Sequence, residues 1–411
     1  MGGPAVVEVT APDGIPPLVA PGRPLRADER ERFSRHLLLP GIGELGQRRL
    51  RNARVCVVGA GGLGAPVLLY LAAAGVGRLG VVDDDDVALS NLQRQVIHGL
   101  ADVGRPKVVS AAEAVARLDP EVDVVLHRTR LTPGTVALLG DYDLVVDGTD
   151  NFPTRYLVND ACVRMGLPEV WGSVFRFDAQ VSVFWGRPPA GVAPVQLRDL
   201  FPAPPPEGSV PSCAEGGVLG AMCGQVGSVM ATEAVKLITG VGRSLLGRVL
   251  VLDALAATWA EVPLRGRDGG RMVDDGARTQ EVPALDGAER LHDGAAQQGT
   301  EGPPRVRTVS ARDLAGWLAE GRDFVLVDVR EPAERAIVDI PGAVGIPLRE
   351  LLDDPRAQLP TDRPVVLYCR SGVRSERAGL ALLASGQPDV AHLAGGVLAW
   401  VDEVDPSLPR Y

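Results

Sequence analysis

What this chain has little of narrows it first. Aromatic residues make up only 4% of it, and none of its five cysteines (Cys56, Cys162, Cys213, Cys223, Cys369) belongs to a C-x-x-C pair. Scattered and odd in number, they argue for a reduced chain, against a disulfide framework, and leave no zinc site evident in the sequence. An excess of basic charge is missing as well: 42 Lys and Arg stand against 52 Asp and Glu, a net charge of −10. That balance argues against nucleic acid or an anionic membrane as the main partner, while leaving room for a local basic site that binds phosphate. No apolar stretch reaches membrane-spanning length; residues 65–76 fall short and are interrupted by Pro66 and Gly75. The N-terminus opens on Met-Gly-Gly-Pro without a basic flank or an apolar run. No secretory signal is expected, and the expected location is cytoplasmic.

What is there is ample for two cores. With 411 residues and a hydrophobic fraction of 45%, the chain exceeds what one ordinary core organises. Residues 1–26, rich in Pro and Gly, read as a loose tail; 27–264 as a first domain; 265–303, rich in Gly, Asp, Arg and Gln, as a flexible linker; and 304–411 as a smaller second domain. In the first domain apolar runs at 55–58, 79–82, 122–126 and 144–147 read as strands. Helical patterns at 62–74, 107–118 and 155–165 alternate with them. That alternation predicts an α/β fold with a parallel, doubly wound sheet. From residue 170 the pattern changes to strand-like runs such as 180–185, then a Pro-rich loop and a long helix over 217–238.

The strand at 55–58 runs into Gly59-Ala60-Gly61-Gly62-Leu63-Gly64, which opens a helix. Glycines let backbone approach phosphate oxygens, and the helix start offers free N–H groups with partial positive charge. By itself the motif suggests a dinucleotide, with Asp83 at the end of the next strand placed for ribose hydroxyls. The surrounding segments point elsewhere. Asn91-Leu92-Gln93-Arg94-Gln95, Gly104-Arg105-Pro106-Lys107 and, upstream, Arg32-Phe33-Ser34-Arg35-His36 gather cations near the loop. Cations suit a triphosphate, whose departing pyrophosphate develops charge. Asp150, closing a strand in Asp147-Gly148-Thr149-Asp150-Asn151, stands where such sheets bind ligands and suits Mg²⁺.

On these stretches residues 30–260 resemble the MoeB/ThiF family of the ubiquitin-activating enzyme superfamily. The resemblance implies that ATP is used to adenylate the C-terminal glycine of a ubiquitin-like sulfur carrier ending in Gly-Gly. By position it implies that Gly59, Gly61, Gly62 and Gly64 cradle the nucleotide, Asp83 binds ribose and Asp150 holds Mg²⁺. Asn91, Arg94 and Lys107 would line the phosphates. Arg35 matches an arginine that reaches into a neighbouring subunit's site, which implies a homodimer. Many relatives hold a zinc through two C-x-x-C pairs. Here the equivalent stretch reads Pro194-Val195-Gln196-Leu197-Arg198-Asp199, so no zinc is expected.

Two cysteines carry chemical expectations. Cys213, in Ser212-Cys213-Ala214-Glu215 just ahead of the long helix, is placed for a lowered thiol pKa. Relatives with a fused sulfur domain place a cysteine similarly, for a covalent link with the activated carrier. Cys56, Cys162 and Cys223 read as packing. In the second domain the strand at 365–368 ends in Cys369-Arg370-Ser371-Gly372-Val373-Arg374-Ser375 and then a helix. A cysteine at that turn, wrapped by backbone N–H groups and by Arg370 and Arg374, suits a thiolate or persulfide. With Leu326–Glu331 and Ile340-Pro341-Gly342-Ala343, this stretch resembles a single-domain rhodanese. The resemblance implies a persulfide on Cys369 and structural roles for Asp328 and Arg330; Glu331 and Glu334 read as solvated. The whole resembles fused adenylyltransferase–sulfurtransferases, with thiosulfate or a cysteine desulfurase persulfide as sulfur donor. An NAD-dependent oxidoreductase and a non-adenylating docking module with an active rhodanese are the competing readings.

Overall fold

The computed structural model describes residues 15–205, 217–266, 306–355, 359–360 and 362–410. The chain divides into two compact units, one holding the described residues up to 266 and the other those from 306.

The first unit is built on an eight-stranded sheet: β1 (Arg54–Val58), β2 (Arg78–Val82), β3 (Asp123–His127), β4 (Leu144–Asp147), β5 (Glu169–Phe175), β6 (Asp178–Phe184), β7 (Arg248–Asp253) and β8 (Thr258–Pro263). Their order is β3-β2-β1-β4-β5-β6-β7-β8. The five strands from β3 to β5 run parallel, and β6 to β8 continue as an antiparallel meander. Apart from its first residue in β1 and β2, each of β1, β2 and β4 is buried along its length, the signature of a strand covered on both faces. Helices Gly64–Ala73, Lys107–Leu118, Phe152–Met165 and Gly220–Thr239 accompany the sheet. The chain leaves β1 for β2 on one side, while β4 lies on the other. The crevice at the carboxyl ends of β1 and β4 is therefore a topological switch point.

From residue 15 onward the expected tail is packed. Ile15 and Val19 are buried in the main core. Leu18 N donates to Leu237 O at 2.9 Å and Gly22 N to Arg48 O at 3.1 Å. Arg48 Nη2 returns a bond to Gly22 O at 2.7 Å. Composition suggested a loose segment, but its few apolar residues find a place against the long helix and the backbone bonds follow. Residues 1–14 and most of the expected linker lie outside the described residues.

The second unit is a five-stranded sheet: β9 (Arg307–Val309), β10 (Val325–Asp328), β11 (Val344–Gly345), β12 (Val365–Tyr368) and β13 (Val390–Leu393), in the order β11-β10-β12-β13-β9. All neighbours are parallel. Its core gathers Leu314, Leu326, Ile340, Val366, Tyr368, Leu393, Val397 and Trp400. Cys369 follows directly on the central, fully buried β12.

Candidate active sites

The glycine loop is held from three sides. Gly59 adopts a positive φ of 91°, and a methyl group on Gly64 would collide with the Gly59 carbonyl, so the helix start packs directly on the loop. At the end of β2, Asp83 Oδ2 accepts from Ala60 N at 2.9 Å, while its Oδ1 accepts from Asp85 N at 2.9 Å. Burial pushes the Asp83 carboxyl up, against the opposing charge of Lys107. From below, buried His98 places Nε2 3.1 Å from Ala60 O and Nδ1 2.8 Å from Ser110 Oγ. A carbonyl can only accept, so Nε2 carries the proton and Nδ1 accepts from the serine. Burial lowers the His98 pKa, which keeps the ring neutral. No local sequence signal singled out His98, because its partners lie 38 and 12 residues away.

Beside this loop opens a cavity of about 940 Å³. Of the residues expected at a nucleotide, Gly59, Gly61, Gly62, Asp83, Arg94, Lys107 and Asp150 line it. Lys107, 6% exposed, directs Nζ to Asp85 Oδ2 at 2.7 Å and stands 3.9 Å from Asp83 Oδ1. Arg94 donates to Ser90 O at 3.1 Å, holding its stem against the preceding turn. Asp150 presents an exposed carboxylate at the carboxyl end of β4. Mg²⁺ takes one or two protein carboxylates and completes its shell with water and phosphate oxygens, so this donor chemistry fits the ion. Just before it, Asp147 is fully buried, its carboxyl raised by burial against the charge of Arg155. Arg155 itself donates to Thr149 O at 2.9 Å and shapes the turn that carries Asp150.

Three expected residues stand off the cavity lining. Gly64 packs under the loop, Asn91 Oδ1 accepts from Ala88 N at 3.0 Å and caps a short turn, and Arg35 is exposed on the Ser34–Leu37 helix. Conversely, Gln95, Arg155 and Cys223 line the cavity although the sequence pattern gave them no role there. Gln95 Oε1 is buried without a hydrogen-bond partner among the described residues. Cys223, expected only to pack, does pack, but against Gly62: a methyl on that glycine would lie 2.9 Å from its sulfur. Cys56 and Cys162 are core, their thiols pushed up by burial. Cys213 lies outside the described residues.

In the second unit Cys369 is fully buried. Gly372 N donates to its sulfur at 3.1 Å, and Ser375 Oγ stands 3.7 Å away while bonding Gly372 O at 2.9 Å. Val397 N and Leu398 N, opening the Gly396–Glu403 helix, bond the carbonyls of Cys369 and Arg370 at 2.8 and 3.2 Å. Gly396, at φ 60°, permits the approach; any side chain there would strike the Cys369 carbonyl. Beneath the loop, buried Arg330 bonds Asp328 and reaches Val338 O at 2.8 Å, with its guanidinium 5.4 Å from the Tyr368 ring centre.

The expected surround of two arginines needs correcting in one respect. Arg374 donates from Nη1 and Nη2 to the two carboxylate oxygens of Glu334, each at 2.7 Å. Glu334, expected to be solvated, is only 6% exposed. Burial raises its pKa, but the hydrogen bonds and charge of Arg374 outweigh that and hold it below the usual carboxylate range. The pair spans 40 residues, beyond any local charge pattern.

The ThiF family profile matches residues 33–271, and the rhodanese-like domain profile matches residues 310–403. The chain belongs to the ThiF family. It is 50% identical over 400 residues to the probable adenylyltransferase/sulfurtransferase MoeZ of Mycobacterium tuberculosis, covering 97% of this chain and 99% of that one. It is 39% identical over 406 residues to the adenylyltransferase and sulfurtransferase MOCS3 of Anopheles gambiae, covering 94% and 90%. Among solved structures, the microcin C7 biosynthetic enzyme MccB in complex with N-formylated MccA aligns with a TM-score of 0.51 at 19% identity. It covers 59% of this chain and 75% of that one, and shows the fold alone. This ThiF-family chain is an ATP-using adenylyltransferase joined to a sulfurtransferase. Among the described residues no helix is long and apolar enough to cross a membrane.

Proposed function

We propose that the first unit adenylates the terminal glycine of a Gly-Gly-ended, ubiquitin-like sulfur carrier, that the outer sulfur of a persulfide on Cys369 then displaces AMP to form an acyl disulfide, and that a second thiol or a reductant cleaves its S–S bond to release the thiocarboxylate. The observation that carries the reading is the convergence of Gly59, Gly61, Gly62, Arg94, Lys107 and Asp150 on one cavity, in a chain that also cradles Cys369 with a backbone amide. The carrier's carboxylate attacks the α-phosphorus of ATP, and pyrophosphate leaves toward Arg94 and Lys107. Asp150 would hold the Mg²⁺ that offsets phosphate charge. Asp83 offers ribose whatever lone pairs its two backbone bonds leave. Asn91, away from the lining, would act by fixing the turn that carries Arg94.

Arg35, exposed and away from its own chain's cavity, is suited to complete the site of a second copy, which makes a homodimer the working assembly. Cys213 is assigned the covalent hold on the activated carrier. Cys369 receives sulfur from thiosulfate or from a cysteine desulfurase persulfide, with Arg370 and the Gly372 amide stabilising the anion and Arg374 ordering the loop. The reaction is placed in the cytoplasm without a structural zinc; one stoichiometric zinc per chain on metal analysis would overturn that part.

Mass spectrometry of a Gly-Gly-ended carrier incubated with the protein, ATP, Mg²⁺, thiosulfate and a thiol reductant tests the whole reading. The expected product replaces one carboxylate oxygen by sulfur, requires ATP and disappears in Cys369→Ala. Carrier-dependent pyrophosphate exchange persists in that variant. Normal product from Cys369→Ala with the same donor would remove Cys369 from the mechanism.

A further inference from the structure

Two ties join the glycine loop to the Lys107–Leu118 helix. One lies at the cavity: Lys107 Nζ stands 3.9 Å from Asp83 Oδ1, and Asp83 Oδ2 accepts from Ala60 N at 2.9 Å. The other lies behind it. His98 places Nε2 3.1 Å from Ala60 O and Nδ1 2.8 Å from Ser110 Oγ, and Ser110 sits one turn beyond Lys107 on the same helix. His98, Ser110 and Ala60 are 6%, 1% and 0% exposed, and none of them lines the cavity. The cavity tie is made of groups that the proposed function gives to the ligand, Lys107 to phosphate and Asp83 to ribose. The buried tie is made of groups that stand off the cavity, so it persists when a nucleotide claims the first. The segment carrying the ring is itself fixed. His98 N donates to Gln95 O at 3.1 Å, and Asp102 accepts from Gly99 N at 2.8 Å and from Arg105 Nη1 at 2.7 Å.

We infer that His98 is a positioning residue for MgATP: bonded at both ring nitrogens, it sets the spacing between the glycine loop and Lys107, which rests on the proposed reading that phosphate lies between those two. A neutral imidazole has one donor and one acceptor, and here each has a partner. A planar ring held at both ends acts as a strut, because a turn that eases one bond misaligns the other. Asp83 is bonded to Ala60 N and so travels with the loop. Loss of the strut therefore weakens contacts that bridge loop and helix, and spares those made on the loop side alone. MgATP bridges the two elements through its phosphates, whereas adenosine has no phosphate to bridge them.

The experiment measures binding of MgATP and of adenosine to the full chain by titration calorimetry, with pyrophosphate exchange on a Gly-Gly-ended carrier alongside. His98→Leu keeps much of the bulk of the ring and makes neither bond. It is expected to weaken MgATP binding about tenfold, the size of one buried hydrogen bond lost, and to change adenosine binding by less than about twofold. In the exchange assay KM for MgATP should rise by about the same factor while kcat stays within about threefold, since a saturating ligand restores the spacing. Ser110→Ala cuts only the far end of the strut, suits the helix, and should weaken MgATP binding about fivefold. Both changes act on one strut, so His98→Leu/Ser110→Ala is expected to bind MgATP as well as His98→Leu alone. Additive losses in the double variant, unchanged MgATP affinity in the single ones, or equal weakening of both ligands would reduce His98 to core packing. Unchanged MgATP binding by Ser110→Ala overturns the strut even if His98→Leu does not fold. Failure of the unmodified protein to bind MgATP would instead bring down the reading of the cavity, and the strut with it.

Discussion

At the scale of single residues, the charged groups that matter are those held out of water by a named partner. Lys107 keeps only 6% of its surface exposed and stands at the cavity between Asp83 and Asp85. Lys107→Ala is expected to lower carrier-dependent pyrophosphate exchange by about a hundredfold or more. Thiosulfate-to-cyanide turnover in the same sample should change less than about twofold, because the loss removes a charge at one site and leaves the fold of the other unit alone. Loss of both activities would signal misfolding. The residues lining the cavity were largely legible in the sequence: Gly59, Gly61 and Gly62 follow an apolar run, Lys107 and Asp150 lie two or three residues past a glycine, and Arg94 belongs to one of the stretches that gather cations near the loop. Glu334 and His98 were not. Each acquires its meaning from a partner far along the chain, which spacing alone does not encode. Cys223 was half legible: its burial follows from the helix, but its position over Gly62 depends on how that helix crosses the loop.

At the scale of elements, the third glycine of the motif shows how tightly helix and loop are joined. Gly64→Ala drives a methyl into the Gly59 carbonyl. It is expected to destabilise the first unit by about 1–3 kcal/mol and to abolish ATP-dependent thermal stabilisation, measured by melting with and without MgATP. The N-terminal segment is a second joint. Glu29, buried in the Ala27–Arg32 helix, accepts from Arg23 Nη1 and Nη2 and from Arg26 N at 2.7 to 2.8 Å, and lies 3.3 Å from Arg51 Nε. The Arg23 hydrogen bonds lead in holding its carboxyl down to about 2. A carboxyl depressed on folding contributes stability above its unfolded pKa of about 4.3 and loses it as pH falls toward the folded value. Melting of the first unit should therefore drop between about pH 5 and about pH 2, and Glu29→Gln should flatten that limb while melting lower at neutral pH. The parallel strands were readable because strands buried on both faces are continuous apolar runs. The packed segment from residue 15 was not, because four prolines and a glycine break up its large apolar residues Ile15, Leu18, Val19 and Leu25.

At the scale of the whole molecule, two chemistries share one chain, and sharing has a kinetic meaning. Joining two sites raises the concentration of each at the other, to about the millimolar range for a short flexible connection. Dividing the chain between residues 267 and 305 should leave pyrophosphate exchange and thiosulfate turnover near their original rates. The coupled thiocarboxylate yield at micromolar protein should fall about tenfold or more and recover as the halves are concentrated. Unimpaired yield from the dilute halves would show that joining contributes nothing. The burial of Cys369 adds a further consequence. If Cys369 carries sulfur as proposed, a thiol with no accessible surface would not itself meet an acyl group; the reacting atom would be the sulfur it carries, about 2 Å beyond the thiol sulfur. Reach, as well as chemistry, would then depend on whether the unit is loaded.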